Sequence, residues 1–156
     1  MSSKPSRRWA FLPIAAIGVL AFAIMNRTGT GVVPGEAFMA GLLHDIGHLV
    51  LFSRYPDECR TALGRADSGL ESRLAAEQEL IGIDAMQFAA ELARVWQLPK
   101  GFVDSFGYLM RPEDIAGPFG RDVAMLHIAV QFSSGMDSDL LIDEIVERIR
   151  PAIWRI

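Results

Sequence analysis

From residue 34 onward, apolar positions recur every three or four residues, and turns interrupt this pattern at short intervals. The spacing is typical of amphipathic α-helices, and no alternation of apolar and polar residues is long enough to indicate a half-buried strand. We therefore predict an all-α fold, organised as a compact helical bundle. Pro56 and Pro151 help to set the bounds, because helices usually end before a proline. The predicted helices cover Pro34–Tyr55, Asp57–Ala66, Leu70–Leu80, Asp84–Trp96, Pro99–Met110, Phe119–Ser133 and Ser138–Ile149.

The N-terminal region has a different pattern. Trp9 to Met25 is a run of seventeen residues without a charged side chain, and basic residues precede it at Lys4, Arg7 and Arg8. Three interpretations fit this run. It is close to the length of about 20 apolar residues that a membrane-spanning helix needs, it resembles a signal peptide with a cleavage site near Ala21–Ala23, and it suits a helix buried in the core. Its supply of Ala and Gly favours the buried helix.

Length and composition limit the number of domains and the class of ligand. With 156 residues, 51% of them hydrophobic, the chain can form one domain with a substantial core. We assign residues 9–156 to this domain and residues 1–8 to a flexible N-terminal segment. The net charge of −4 offers no basic surface for a phosphate backbone, so nucleic acid is not expected as a partner. The single cysteine, Cys59, excludes an internal disulfide and is expected to have no chemical role.

Two histidines and an aspartate interrupt the apolar stretch AFMAGLLHDIGHLVLF, which runs from Ala37 to Phe52. On a continuous helix His44 and His48 share one face, whereas Asp45 points about 100° away from His44. A hydrolytic metal centre commonly needs three or four protein ligands, usually histidines and carboxylates, with a position left for water. These residues alone are not enough, so the question is where further ligands would come from.

Three stretches in order resemble the HDOD (HD-related output domain) family, a branch of the HD superfamily. EAFMAGLLHDIGHLVL is similar to the stretch that bears the family's His-Asp pair. Ile81 to Pro99 is similar to its second signature, a Gly-x-Asp-His-x-x-x-Gly helix ending in Trp-x-Leu-Pro. Phe106 to Asp114 is similar to a helix end where relatives often carry a His-His pair before Arg-Pro. The resemblance extends from about Trp9 to Arg150 and implies an HD-domain-like helical bundle.

The chain departs from the family pattern at the positions that would complete a metal site. Ala85 stands where the second signature has its histidine, and Ala89 stands where it has its glycine. Leu109 and Met110 replace the His-His pair, and the late aspartate of hydrolytic relatives falls on Val130. Because apolar side chains do not bind hard divalent cations, we expect no bound metal, no cofactor and no catalytic residue. His44 and Asp45 would then be the vestige of an HD site.

The surviving polar residues therefore have structural interpretations. We expect His44 and Asp45 to form a buried hydrogen-bonded pair, His48 to lie on a helix surface, and His127 to bond a backbone carbonyl at the edge of the core. A further apolar set is expected to lie in the core, with a partner-binding groove as the alternative; its members are Trp96, Leu98, Phe102, Phe106 and Trp154.

Three functions remain open at this stage. The resemblance favours a non-catalytic regulatory domain of a bacterial signalling pathway, located in the cytoplasm and binding a protein partner or a second copy of itself. Relatives usually carry an additional helical lobe before this region, and its lack would leave surface open for such a contact. The alternatives are a metal-dependent phosphohydrolase of the HD superfamily and a helical protein anchored in the inner membrane through Trp9–Met25.

Overall fold

A computed structural model describes residues 34–65, 69–115, 119–137 and 141–153 of the chain. Within these ranges the regular structure is helical and no strand occurs, so the all-α prediction is confirmed. Eight α-helices and one 3-10 helix follow one another in this part of the chain. They are α1 (Pro34–Leu43), α2 (Ile46–Arg54), α3 (Pro56–Arg65), α4 (Leu70–Ile81), α5 (Ala85–Val95), α6 (Lys100–Gly107), the 3-10 helix (Pro112–Asp114), α7 (Phe119–Asp137) and α8 (Ile142–Arg148).

The predicted long helix from Pro34 to Tyr55 is wrong, because the chain breaks at the His-Asp pair. α1 ends at Leu43 and α2 begins at Ile46, with Asp45 at φ −92° and ψ 0° between them. The ring of His44 donates from Nδ1 to the carbonyl oxygen of Gly41 at 2.7 Å. A side chain thus satisfies one of the carbonyls left open at the end of a helix. As a consequence, His44 and His48 do not share the face of one helix.

A tight turn fixes the direction of α5 relative to α4. Gly82 ends α4 in the left-handed conformation with φ 89°, and its N–H bonds to the carbonyl of Gln78 at 3.0 Å. Two residues later the carboxylate of Asp84 accepts hydrogen bonds from the backbone N–H groups of Met86 and Gln87, both at 2.8 Å. Asp84 is therefore the N-cap of α5, which the predicted start of this helix anticipated.

α5 ends in a Schellman motif. The N–H of Leu98 bonds to the carbonyl of Ala93 at 2.9 Å, and the N–H of Gln97 bonds to the carbonyl of Arg94 at 3.0 Å. This pair of bonds requires a left-handed residue after the helix, and Gln97 supplies it with φ 55°. Glycine is the usual residue there because it has no Cβ to strain.

We expect Gln97→Gly to raise the free energy of unfolding by about 0.5–1 kcal/mol, because glycine removes the left-handed strain without changing the hydrogen bonds. Urea denaturation measures the difference. Gln97→Ala is the matched control, since it shortens the side chain but keeps the strained Cβ, and it should give no gain. An equal gain in both variants would attribute the effect to the lost side chain instead.

The core forms around α5, which packs against α2 on one side and against α6 on the other. Apart from Met86, the buried side of α5 consists of small residues, which allow its neighbours to approach closely: Ala85, Ala89, Ala90 and Ala93. Gly47 of α2 makes the closest approach, because a Cβ at this position would stand 1.8 Å from the carbonyl oxygen of Ala85. Larger side chains from other helices complete the core, among them Leu51, Phe102, Phe106, Leu109 and Leu126.

The predicted apolar core set is correct only in part. Phe102 and Phe106 are buried with ring centroids 6.4 Å apart, and Leu98 is half-buried. Trp96 instead has 52% of its surface exposed, so its assignment to the core is wrong. The physical reason is that it follows the last turn of α5, where no described helix covers it. Trp154 lies outside the described residues.

The interpretations of residues 1–8 and of Trp9–Met25 also fall outside the described residues. Among the helices of the described ranges, none combines the length and the apolar character needed to cross a membrane.

Candidate functional site

Polar side chains meet where α2, α4 and the start of α5 come together. Asp45 reaches this junction as the residue that precedes α2, His48 reaches it from the first turn of α2, and Glu77 reaches it from α4. Both His48 and Glu77 are buried, and Glu77 has no exposed surface at all. We call Asp45, His48, Arg73 and Glu77 the charged cluster, because their side chains contact one another in a chain.

His48 links the two carboxylates of the charged cluster. Its Nδ1 donates to Oδ1 of Asp45 at 2.9 Å, and its Nε2 lies 3.4 Å from Oε1 of Glu77. The second approach has no hydrogen-bond geometry, and Nε2 is buried without another partner. The prediction that His48 lies on a helix surface is therefore wrong. The break before Ile46 turns the start of α2 inward, so that His48 faces α4.

His44 and Asp45 do not form the predicted hydrogen-bonded pair. His44 is buried and uses Nδ1 for the carbonyl of Gly41, while its Nε2 lies 3.9 Å from Oδ1 of Asp45, too far for a hydrogen bond. Because a carbonyl only accepts, Nδ1 carries the proton in this contact and Nε2 is left with a lone pair when the ring is neutral. Asp45 bonds to His48 instead, and 39% of its side chain is exposed.

Glu77 is the residue that sequence reasoning missed. Its Oε1 accepts from Nε of Arg73 at 3.0 Å, and its Oε2 accepts from the backbone N–H of Ala85 at 3.0 Å. The second bond satisfies one of the open donors at the first turn of α5. A signal exists in the sequence, because Leu70, Leu74, Glu77 and Ile81 follow the spacing of one helix face and the only charge on that face is Glu77.

The electrostatics of the charged cluster favour the ionised form of Asp45. Burial alone would raise the pKa of Asp45, but the hydrogen bond from His48 and the charges of His44, His48 and Arg73 outweigh it, so this pKa lies below its ordinary value of 3.8. Asp45 is accordingly negative at neutral pH. A partly buried charge is tolerated when it has a partner, which His48 provides for Asp45.

A family model for the HDOD domain matches residues 13–112 of the chain. The chain belongs to the HDOD family. The matched range includes the His-Asp pair, the charged cluster and Ala85, whereas α7 and α8 follow it. The HDOD resemblance drawn from three sequence motifs is thereby confirmed.

Solved structures with the same fold agree with the HDOD assignment. The MmoQ response regulator of Methylococcus capsulatus has 26% identity and a TM-score of 0.72, over 97% of this chain and 57% of its own. A provisionally named phosphohydrolase of Shewanella amazonensis has 25% identity and a TM-score of 0.70, over 86% and 50%. An HDOD domain protein of unknown function from Geobacter sulfurreducens shares the fold at 22% identity and a TM-score of 0.70, over 92% and 49%. The chain thus spans about half the length of these relatives. No curated protein matches it.

The donor set of this HDOD domain does not fit the metal that HD hydrolases use. Both oxygens of Glu77 accept hydrogen bonds within the protein, and one oxygen of Asp45 is bonded to His48. Nε2 of His44 and the second oxygen of Asp45 are left as uncommitted donors, whereas Nε2 of His48, which also has no hydrogen-bond partner, is buried 3.4 Å from Oε1 of Glu77. The donors open to a metal are therefore fewer than the three or four that a metal centre needs. Within the described ranges, no group of three or more His, Cys, Asp or Glu side chains could hold a metal ion. The absence of a bound metal stays a prediction.

Apolar side chains occupy the positions where ligands would be expected from the family pattern. Ala85 and Leu109 are completely buried, and Val130 is buried beside them in the same core cluster; Met110 is half-buried against it. Packing therefore fills the space that donor atoms would otherwise line.

His127 follows its sequence interpretation, although it lies deeper than the edge of the core. It is buried on α7, and its Nδ1 donates to the carbonyl of Leu109 at 2.7 Å. Burial lowers the pKa of His127, the bond to Leu109 opposes this, and the charge of Arg150 adds to the lowering, so the pKa lies below its ordinary value of 6.5. His127 is therefore neutral in the folded protein at neutral pH.

We expect the free energy of unfolding to fall as the pH drops below about 6.5, because the unfolded chain protonates His127 more readily than the folded one. The slope from this residue is at most about 1.4 kcal/mol per pH unit. Urea denaturation at a series of pH values measures it. His127→Gln keeps an N–H donor but does not titrate, so its curve should be flatter in that window. Parallel curves for both proteins would show that other groups carry the acid sensitivity.

Cys59 is buried in the core, and burial raises the pKa of its thiol above the ordinary value of 9.0. The thiolate is the reactive form of cysteine. Its interpretation as a residue without a chemical role is consistent with both observations.

Proposed function

We propose that this HDOD domain is a non-catalytic regulatory module of a bacterial signalling protein, located in the cytoplasm, which acts by binding a protein partner. The vestigial His-Asp pair serves folding instead of hydrolysis. The observation that carries this proposal is the charged cluster, in which Glu77 is bonded through both oxygens to Arg73 and to the backbone, and Asp45 is bonded to His48.

A metal-dependent phosphohydrolase needs metal ligands that the charged cluster does not offer. A metal ion must be held by several ligands and must keep an open position for the attacking water. Here Glu77 is fully buried and fully bonded, so it presents no atom to a substrate. Arg73 also faces Glu77 within the cluster, with Nε 3.0 Å from Oε1.

The relatives support a signalling role. One is named a response regulator and comes from a bacterium, and the family model that matches the chain is that of the HDOD domain expected from the motifs. Because the chain spans about half the length of these proteins, their whole-protein activities reach it only as a proposal.

A second function, metal-dependent phosphohydrolysis, is favoured by one specific observation. Nε2 of His44 and Oδ1 of Asp45 lie side by side at 3.9 Å, and Asp45 is 39% exposed, so a metal or substrate could approach this pair. A relative with 25% identity also bears the name of a phosphohydrolase. Hydrolysis would need ligands from another source to complete the site.

Asp45→Ala separates the two functions. We expect it to lower the free energy of unfolding by about 1–2 kcal/mol, because buried His48 loses its acceptor; the loss is limited since Asp45 is partly exposed and water can replace it. We also expect no hydrolysis by either protein on a panel of nucleotides and phosphodiesters with Mg²⁺ or Mn²⁺, and no effect of a chelator on the melting temperature.

Asp57→Ala is the matched control, because it removes an exposed aspartate and its exposed ion pair with Arg60. Its effect should stay below about 1 kcal/mol. Hydrolysis by the parent protein that disappears in Asp45→Ala while folding is retained would overturn the non-catalytic proposal.

A further inference from the structure

The last described helix and the residues after it are attached to the rest of the protein mainly through α7. Ile145 is the buried residue of α8, the other residues of this helix are exposed, and the main helical neighbour of α8 among the described helices is α7. Ile149 and Ile153 continue the buried side beyond the end of α8, at steps of four residues. We call residues 142–153 the C-terminal strap.

The apolar contacts of the C-terminal strap form a cluster of their own. Ile149 and Ile153 pack with Ala124 of α7. Two half-buried side chains of α7, Ile128 and Phe132, lie against this group. The main core around α5 uses other positions of α7: Leu126, Ala129 and Val130. Because local stability follows the buried apolar contacts of each region, a small separate cluster can open while the main core stays folded.

One side chain of the C-terminal strap, Arg150, joins it to the segment that follows α6. Arg150 donates from Nη2 to the carbonyl oxygen of Met110, and its Nη1 lies 2.5 Å from Oε1 of Glu113. Nη2 also donates to Oε2 of Glu113 at 3.4 Å, so the ion pair is bidentate. Nε of Arg150 is buried without a partner. The contacts of the two Nη atoms therefore have to offset the burial of this side chain.

The segment that receives Arg150 is fixed by contacts that do not involve the C-terminal strap. His127 of α7 donates to the carbonyl of Leu109 at 2.7 Å, and Pro112 is completely buried. The 3-10 helix also packs against α7. Release of Arg150 would therefore free the strap and leave the surface that receives it intact.

We propose that the C-terminal strap opens and closes as one unit on a folded core, and that Arg150 is the latch that stabilises the closed position. The closed strap covers one apolar side of α7, whereas the open strap exposes this side and frees the carbonyl of Met110 and the carboxylate of Glu113. An element with two positions is what a signal can bias in a regulatory protein. The inference goes beyond the proposed function and stands whether or not the domain hydrolyses a substrate.

Native-state hydrogen exchange of the full chain, resolved by NMR, tests the motion. The amides of Ile145, Ile149 and Ile153 are each hydrogen-bonded in the closed strap. We expect these three amides to share one protection factor, at least about tenfold below those of Ala89 and Ala90 in α5, because the strap opens while the core stays folded. Fraying from the end of the chain would instead give protection that falls steadily from Ile145 to Ile153.

Arg150→Gln tests the latch. Glutamine removes the charge and the bidentate pair, so the protection of all three strap amides should fall about fivefold or more, with the α5 amides unchanged. Arg111→Gln is the matched control, because it removes an exposed arginine near the same segment that pairs with Asp114 at 3.8 Å, and it should leave the strap amides unchanged. Glu113→Gln should act in the same direction as Arg150→Gln, and adding it to Arg150→Gln should change little further, because both act through one contact.

Four outcomes would overturn the inference. Strap amides as protected as those of α5 would show that strap and core unfold together, and steadily falling protection would show fraying instead of a unit. An Arg150→Gln variant that leaves the strap amides unchanged, or that lowers the protection of α5 equally, excludes the latch. An equal effect of Arg111→Gln excludes it as well, since any lost positive charge would then suffice. The hydrolysis assays do not depend on the strap, so they decide the non-catalytic function separately.

Discussion

Gly47→Ala is expected to lower the free energy of unfolding by about 3 kcal/mol or more, among the largest effects of a single added methyl group. The new Cβ would stand 1.8 Å from the carbonyl oxygen of Ala85 and 2.7 Å from its carbonyl carbon. Both are backbone atoms, so no side-chain rotation can relieve the overlap. α2 therefore has to move away from α5.

The matched control for this variant is Gly64→Ala on α3. Gly64 is exposed in a helix, and a Cβ there meets nothing within 4 Å. Alanine has the higher helix propensity, so Gly64→Ala should raise the free energy of unfolding by up to about 1 kcal/mol. Urea denaturation of the two variants beside the parent gives both differences. If Gly47→Ala were as stable as the parent, the close crossing of α2 and α5 would be disproved.

The sequence predicts where the helices lie because apolar periodicity and caps are local properties. The prolines, the N-cap Asp84 and the left-handed Gly82 all act within a few residues, and the helices they bound begin and end close to the predicted positions. The break between α1 and α2 is different. The apolar pattern continues through this break, so periodicity predicts a single helix. The observed turn depends instead on the hydrogen bond from the His44 ring to the carbonyl of Gly41 and on the close crossing of α2 and α5 at Gly47.

For the candidate site, the sequence predicts which expected ligand positions carry apolar residues, but not the contacts of the remaining polar residues. The resemblance predicts that Ala85 and Val130 stand where relatives have ligands, and the structure shows that both residues are buried in the core. The partners of the remaining polar residues are not visible, because they lie on other helices. His48 and Glu77 are 29 positions apart, and only the packing of α2 against the α4–α5 turn brings them within 3.4 Å.

Trp96 is a surface residue whose exposure the sequence likewise does not predict. It stands on the apolar side of α5, and a helical pattern alone places such a residue in the core. How much of a wide apolar side is covered depends on which neighbours pack there, and α2 and α6 cover the alanine face but leave Val95 and Trp96 exposed. Exposure of this kind is a tertiary property that a single helix pattern does not encode.

Glu77→Leu is expected to lower the free energy of unfolding by about 3–5 kcal/mol, the usual cost of removing one partner from a buried charged group. Leucine approximates the size of the side chain, so the loss is electrostatic and not a cavity effect. It leaves the Ala85 N–H without its acceptor, and it leaves Arg73 facing His48 with no charge between them. Since small domains are stable by only about 5–15 kcal/mol, this variant should unfold at a much lower urea concentration.

Glu79→Leu is the control, because Glu79 lies two residues away on the same helix and also pairs with an arginine, Arg65, at 3.0 Å. Both partners of that pair are exposed, so its removal should change the free energy of unfolding by less than about 1 kcal/mol. The two variants share the helix, the substitution and the loss of one negative charge, and they differ in burial. A large loss in Glu77→Leu alone would therefore assign the stability to the buried contacts that tie α4 to the start of α5 and to His48. Equal effects of the two substitutions would contradict the structural role of the charged cluster and would leave Glu77 available for a different one.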